Sequence, residues 1–210
     1  MILIDYIGKK QDGEIFDLTL EDKAKEEGIY NEDVSYNPVP VLVGHNYIIE
    51  GLDDAIQEME IGDEKEVFVA SDKAYGSRDS EKIQTYPEKE FKKQDVRVRP
   101  GEEIIIGNQR GKVISNQSGR VRIDFNHPLA GEDLDYWVKV VEEVDDDEEI
   151  AEKIVEFRIG HGDVEFEDGK VKVIHQHEGE HTHELPEEAK EEIREEIKEA
   201  TGFEEVEIIE

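Results

Sequence analysis

The chain has 210 residues, 36% hydrophobic and 39% charged, and its 57 Asp and Glu against 25 Lys and Arg leave a net charge of -32. Such a surface repels phosphate backbones and anionic bilayers, which argues against nucleic acid or a membrane surface as partner. With no cysteine there is no disulfide, thiolate metal site or thiol redox chemistry, and no apolar run reaches the roughly 18 residues of a membrane helix. The opening MILIDYIGKK has no apolar stretch behind a basic start, so a cytoplasmic setting is expected. Ile and Val far outnumber Leu, which favours strands and short helices.

In chain order, residues 2–7 (ILIDYI) read as a strand, Gln11-Asp12-Gly13 as a hairpin turn, and Glu14 to Leu18 as the returning strand. Residues 19–38 hold a short helical piece, TLEDKAKEEG, and then an ordered loop; Val39 to Val43 restarts a strand. Ile48-Ile49 leads into Glu50-Gly51, after which Leu52, Ile56 and Met59 recur at helix spacing, with Ile61-Gly62-Asp63 as the stop. Lys65 to Ala70 alternates as a half-buried strand, and Ala74-Tyr75-Gly76 closes the stretch. Beyond Gly76 the composition turns polar and basic for this chain. Short strand-like runs follow at Val96–Val98, Glu103–Ile106, Lys112–Ile114 and Arg120–Ile123, separated by turn residues. Leu134 to Val141 returns as a strand, in which one of Tyr136 and Trp137 must face away from the other. The acidic run Glu142 to Glu149 is a linker or a solvated helix start. Lys153–Gly160, Asp163–Phe166 and Lys170–His175 read as strands. Ala189, Ile193, Ile197 and Ala200 then lie on one face of a helix, and Glu205–Ile209 is a closing strand. This gives a C-terminal β-β-β-α-β unit.

The stretch IIEGLDDAIQEM, followed by IGDEKEV and AYG, resembles the FKBP-type peptidyl-prolyl cis-trans isomerases. Asp5-Tyr6 with Asp12-Gly13 and Phe16-Asp17 looks like that family's first hairpin, and DFNHPLAG (Asp124–Gly131) looks like the signature of its SlyD-like branch. The resemblance implies an α+β, β-rich fold in which an antiparallel sheet wraps a short helix. It divides the chain into a discontinuous isomerase domain (1–76 and 124–146), an all-β chaperone domain inserted in the flap (77–123) and a small C-terminal domain (147–210). Similar long archaeal-type members dimerise through such a C-terminal domain, so a homodimer is expected, with unfolded, proline-containing polypeptides as partners.

An X-Pro bond rotates over a barrier of about 18–20 kcal/mol because amide resonance must be broken. The twisted amide is less polar than the planar one, so a dry apolar cleft binds it better without a nucleophile, metal or cofactor. The residues matching the family's pocket are Tyr6, Phe16, Ile48, Ile49, Leu52, Tyr75, Leu129 and Tyr136 as the box. Asp17, the Tyr75 hydroxyl and the Ile49 N–H are the polar contacts. Leu52 departs from the pattern, because well-known members have a Trp floor there. Asp17, directly after Phe16, must be either exposed or paired. His127 beside Pro128 reads as a loop hydrogen-bonder rather than a general base, since no nucleophile or orienting carboxylate is near it in sequence.

His175, His177, His181 and His183 form two H-x-H pairs around Glu178-Gly179-Glu180, a pattern able to present imidazoles to Ni or Zn. The plainer reading is a solvated acidic loop. A second functional reading is therefore a non-catalytic holdase or metal-delivery protein on the same scaffold, supported by Leu52 and this cluster.

Overall fold

The computed structural model describes residues 1–45, 47–160, 162–167, 169–174 and 185–209. In chain order it contains β1 (Ile2–Lys10), β2 (Ile15–Leu18), α1 (Glu21–Glu26), β3 (Val39–Val41), α2 (Glu50–Ile56), β4 (Glu64–Val69), β5 (Ile83–Pro87), α3 (Glu88–Lys93) and β6 (Glu103–Ile106). There follow β7 (Gln109–Gln117), β8 (Arg120–Asp124), β9 (Leu134–Glu143), α4 (Asp147–Ile159), β10 (Asp163–Glu167), β11 (Lys170–Ile174), α5 (Glu187–Ala200) and β12 (Glu205–Ile209). Two compact units result, one from Met1–Phe68 with Asp135–Glu210 and the other from Val69–Leu134.

The first unit is organised by a sheet of order β2-β1-β9-β4, with β3 pairing antiparallel to the start of β1. Ile7, Leu18 and Ala24 pack with Ile15, Leu20, Tyr36 and Trp137 on one side of β1, which α1 covers. Trp137 belongs to that cluster while Tyr136 packs with the rings of Tyr6 and Phe16. The alternation expected along β9 is therefore present. Helix α2 is shorter than its apolar spacing suggests. It buries Leu52, Asp53 and Ile56, and it ends before Met59 in a turn.

The C-terminal elements form a sheet of order β10-β11-β12 carrying α4 and α5. β10 and β11 make the expected hairpin, whereas β11 and β12 run parallel, a pairing that needs a crossover such as the one containing α5. The expected strand over Lys153–Gly160 is instead the second half of α4, so the order is α-β-β-α-β. Ile150, Ala151, Ile154 and Val155 are buried along one helical stripe whose first members lie just beyond the acidic run. That run is the helix start. Asp146 accepts from the Glu149 N–H at 3.1 Å, and the carboxylates of residues 147–149 sit at the positive end of the dipole. Gly160, at φ 73°, ends the helix in a left-handed turn. The core of this region, Val171, Val173, Ile193 and Ile197 with the α4 stripe, also takes in Leu3 and Val144.

The second unit holds an antiparallel sheet of order β5-β8-β7-β6. Its core is Val98, Val113, Val121 and Ile123, against which Tyr86, Phe91, Ile104, Ile106 and Phe125 pack. Two expectations change here. Val96–Val98 is not a strand, and Val98 instead plugs the core from a loop. The fourth strand, β5, and the short helix α3 come from the polar stretch after Gly76, so the unit is not built of strands alone. Gly111 has a structural reason: a Cβ there would lie 2.6 Å from Ile123 and 2.8 Å from the Phe125 ring. The two ends of the sheet are stitched together where the chain enters and leaves. Arg78 pairs with buried Asp124, and Asn126 accepts from the Asp79 N–H at 2.9 Å while donating to the Asp79 carbonyl at 2.8 Å.

Candidate active site

Tyr6 and Gly8 lie one step apart on the same face of β1. The pairing with β2 shifts register between Gly8 and Lys9, so that Gly8 faces Asp17 and Lys9 faces Ile15. The unpaired residue of this bulge is Phe16, and bulges of this kind re-aim a side chain. The Phe16 ring meets Tyr136 edge-on at 5.8 Å, and the Tyr6 ring lies 6.1 Å from Tyr136 at a tilt of 56°. Gly8 makes room for this, since a Cβ there would stand 2.6 Å from Phe16 Cζ and 3.0 Å from Tyr136 Cε1. Three rings from three strands thus close over a bare stretch of backbone.

The Tyr6 hydroxyl donates to Asp17 Oδ2 at 2.7 Å, and the Leu18 N–H donates to Oδ1 at 2.9 Å. Asp17 is therefore both exposed and paired. Behind Tyr6, the buried Thr19 hydroxyl donates to Asp5 at 2.7 Å and accepts from the Tyr6 N–H at 3.0 Å, which fixes the strand carrying the ring. Leu52 is 2% exposed on α2. Ile48 and Ile49 are half-buried just before the helix, and the Ile49 carbonyl accepts from the N–H groups of Leu52 and Asp53, both at 3.0 Å.

Tyr75 and Leu129 lie in the second unit and are brought together there by His127. The Tyr75 and His127 rings are parallel, 4.1 Å apart at 6°. The Leu129 N–H donates to His127 Nδ1 at 3.2 Å, which leaves the ring proton on Nε2. His127 is indeed a loop hydrogen-bonder, and it is also the platform for Tyr75. The Gly131 N–H donates to the Gly76 carbonyl at 2.8 Å and closes the same loop pair.

Sequence reasoning passed over Gly8, Thr19 and His127 as parts of this arrangement. Gly8 carried a signal, a lone glycine inside a β-branched run, which marks a close approach. Thr19 carried none. The histidines 175, 177, 181 and 183 lie outside the described residues. Among the described residues no group of three or more His, Cys, Asp or Glu is placed to hold a metal ion, and no helix is long and apolar enough to cross a membrane.

Residues 1–92 match the family described as FKBP-type peptidyl-prolyl cis-trans isomerase, and residues 84–129 match one described as FKBP26, IF domain. The chain belongs to the FKBP-type peptidyl-prolyl cis-trans isomerase family, a family of isomerases. It is 37% identical over 139 residues to the short-type peptidyl-prolyl cis-trans isomerase of Methanocaldococcus jannaschii, an alignment covering 66% of this chain and 88% of that relative. It is 28% identical over 142 residues to the FKBP-type isomerase SlyD of Helicobacter pylori, covering 63% and 76%, and 32% identical over 108 residues to SlyD of Escherichia coli, covering 50% and 55%.

Proposed function

We propose that this chain rotates X-Pro bonds in a cleft walled by Tyr6, Phe16 and Tyr136, and that its inserted sheet holds the unfolded polypeptide that supplies them. The observation that carries the first half is the convergence of the Phe16 and Tyr136 rings on Gly8, with the Tyr6 ring beside Tyr136 and its hydroxyl bound to Asp17 at 2.7 Å. Packed rings exclude water from the proline, and the amide loses polarity as it twists, so the rings favour the rotated state over the planar one. Ile48, Ile49 and Leu52 extend the apolar wall, with the Ile49 N–H as donor to a substrate carbonyl.

The second half rests on what the inserted sheet leaves uncovered. Among the described residues strand β6 pairs only with β7, and its Ile105 is 68% exposed. Ile114 stands exposed at the β7 bulge. Arg110, Lys112, Arg120 and Arg122 are exposed on the face opposite Val113, Val121 and Ile123, in a chain otherwise dominated by carboxylates. An open edge supplies main-chain hydrogen bonds to any extended segment, and isolated apolar side chains add affinity without demanding a sequence. A slow-refolding assay on a protein limited by prolyl isomerisation, run beside a short-peptide assay, tests both halves. Acceleration in neither would leave a protein that binds without catalysing.

The C-terminal elements are read as the contact of a homodimer, in a cytoplasmic setting. Phe157, exposed on α4, supports the dimer. Sedimentation of Phe157→Lys beside the unaltered chain tests it, with an unchanged mass in both arguing against that contact.

A further inference from the structure

The residues that deliver Ile48 and Ile49 are fastened from two directions. One is local: the Gly44 N–H donates to both carboxylate oxygens of buried Asp53, at 3.0 and 3.1 Å, and the Ile49 carbonyl caps the same helix, α2. The other comes from far along the chain. His45 Nδ1 lies 2.8 Å from Glu199 Oε1 on α5. Tyr47, the residue immediately before Ile48, has the Arg158 guanidinium 5.8 Å from its ring centroid. Arg158 in turn grips Glu196 of α5 as a fork, Nε to Oε2 at 2.7 Å and Nη2 to Oε1 at 3.1 Å.

Glu196 is only 7% exposed. A carboxylate that enclosed is tolerated because the guanidinium meets both of its oxygens, a planar geometry that leaves little freedom to either partner. The Tyr47 hydroxyl is buried and has no hydrogen-bond partner of ordinary geometry among the described residues. Burial first, and the Glu196 carboxylate beside it, push its pKa far above that of an ordinary phenol. Phenol, guanidinium and carboxylate thus form a stack whose position is set by α4 and α5. Nothing in the proline-binding wall itself requires these groups.

We propose that α5 is a positioning element of the isomerase site: through Glu196 with Arg158 on Tyr47, and Glu199 on His45, it sets where the Ile48 and Ile49 backbone meets the substrate. The proposal rests on the reading that Ile48 and Ile49 line that site. The aromatic wall can seat a proline ring by itself. Aligning the neighbouring carbonyl with a single backbone N–H requires that the N–H be held to within a fraction of an ångström, because misplacement by about 1 Å can cost on the order of 100-fold.

The test uses the full chain and a short prolyl peptide, with folding of each variant checked by circular dichroism and thermal midpoint. Tyr47→Ala is expected to lower kcat/KM about 10-fold, and His45→Ala about 3-fold, with the loss in kcat and KM moved less than about 2-fold. His45→Lys, whose ammonium can donate to Glu199, is expected to recover the rate to within about 2-fold of the unaltered chain. Contacts that serve only to hold the segments together would lower the thermal midpoint and leave the kinetics of the folded protein alone. Ile49→Ala is run beside them. A slowed Ile49→Ala with unslowed Tyr47→Ala and His45→Ala, all folded, overturns the proposal. An unslowed Ile49→Ala overturns the site reading, and the positioning role with it. Should Tyr47→Ala fail to fold, the exposed His45 pair carries the decision alone.

Discussion

The sheet built on β1 and the sheet built on β7 each pack aromatic rings over a glycine, but α1 covers the second face of the first sheet while the second face of the other meets solvent. Over β1, the rings of Tyr6, Phe16 and Tyr136 close on each other across Gly8, and a second polar layer, Asp5 with Thr19, holds the strand beneath. Over β7, Tyr86, Phe91 and Phe125 pack onto the core beside Gly111, but on the opposite face exposed cations and the lone side chains of Ile105 and Ile114 meet solvent, and among the described residues β6 pairs with β7 alone. A site finished in advance selects by shape, because its walls are already where the ligand needs them. An open edge selects for extended backbone and accepts almost any side chain. On the proposed reading, the same chain carries one surface suited to a proline ring and another suited to whatever surrounds it.

The hardest test of that contrast removes one sheet. With residues 83–123 replaced by a short Gly/Ser loop, acceleration of protein refolding should fall on the order of 100-fold, the size of an effective-concentration effect. Isomerisation of a short peptide should stay within about 3-fold, measured in a protease-coupled assay. Equal losses on both substrates would merge the two roles. Within the closed site, Tyr6→Phe removes the hydroxyl that binds Asp17 and keeps the ring. Peptide kcat/KM should fall about 5-fold, the size of one ordinary solvent-exposed hydrogen bond, while binding of an unfolded protein lacking proline is unaffected. Gly8→Ala sharpens the packing half of the argument. Its methyl group would press on Phe16 and Tyr136, costing about 1–3 kcal/mol in denaturant unfolding, and peptide turnover should drop with it. On the open sheet, Ile105→Lys should weaken capture of a denatured client about 3-fold yet change stability by less than about 0.5 kcal/mol, as for an exposed side chain.

The smallest effect is expected at alkaline pH. The folded chain raises the Tyr47 pKa above its ordinary 10.0 by burial and by the neighbouring Glu196 carboxylate, so folding favours the neutral phenol. Its contribution to stability is then present in full below about pH 10 and is lost as pH rises toward the folded value. Phenolate absorbance at about pH 11 should be at least one tyrosine short of that of the urea-unfolded chain, and a full complement there would remove Tyr47 from the enclosed stack.

Much of the closed site was legible in the sequence because it is written in contiguous strings. Tyr6, Phe16-Asp17 and Ile48-Ile49 sit in short motifs, and strand alternation separated Tyr136 from Trp137. What could not be read was whatever depends on a partner distant in the chain. Nothing near Thr19 announces Asp5, and nothing near Tyr47 announces Arg158 or Glu196. The errors in secondary structure have a common cause as well. At Lys153–Gly160 the β-branched residues suggested a strand, but the deciding apolar pair, Ile150 and Ala151, lay just beyond a run set aside for its charge and outside the assigned strand. At Ile83–Pro87 a polar sequence concealed an edge strand, which needs only one apolar contact, Tyr86, to pack.

The order of strands in the first sheet bears on how the chain is made. β9, which sits between β1 and β4, is completed only at Glu143, so during synthesis β1 and β2 leave the ribosome about a hundred residues ahead of their central neighbour. The four strands β5 to β8 are contiguous and mostly joined by tight turns, and they contain everything their own sheet needs. Low sequence separation favours early folding, so the nascent chain acquires its open-edged part while the aromatic hollow is still a waiting hairpin. The first half of this chain is then exposed for longest during synthesis, and the piece that matures beforehand is the one proposed to hold unfinished polypeptide.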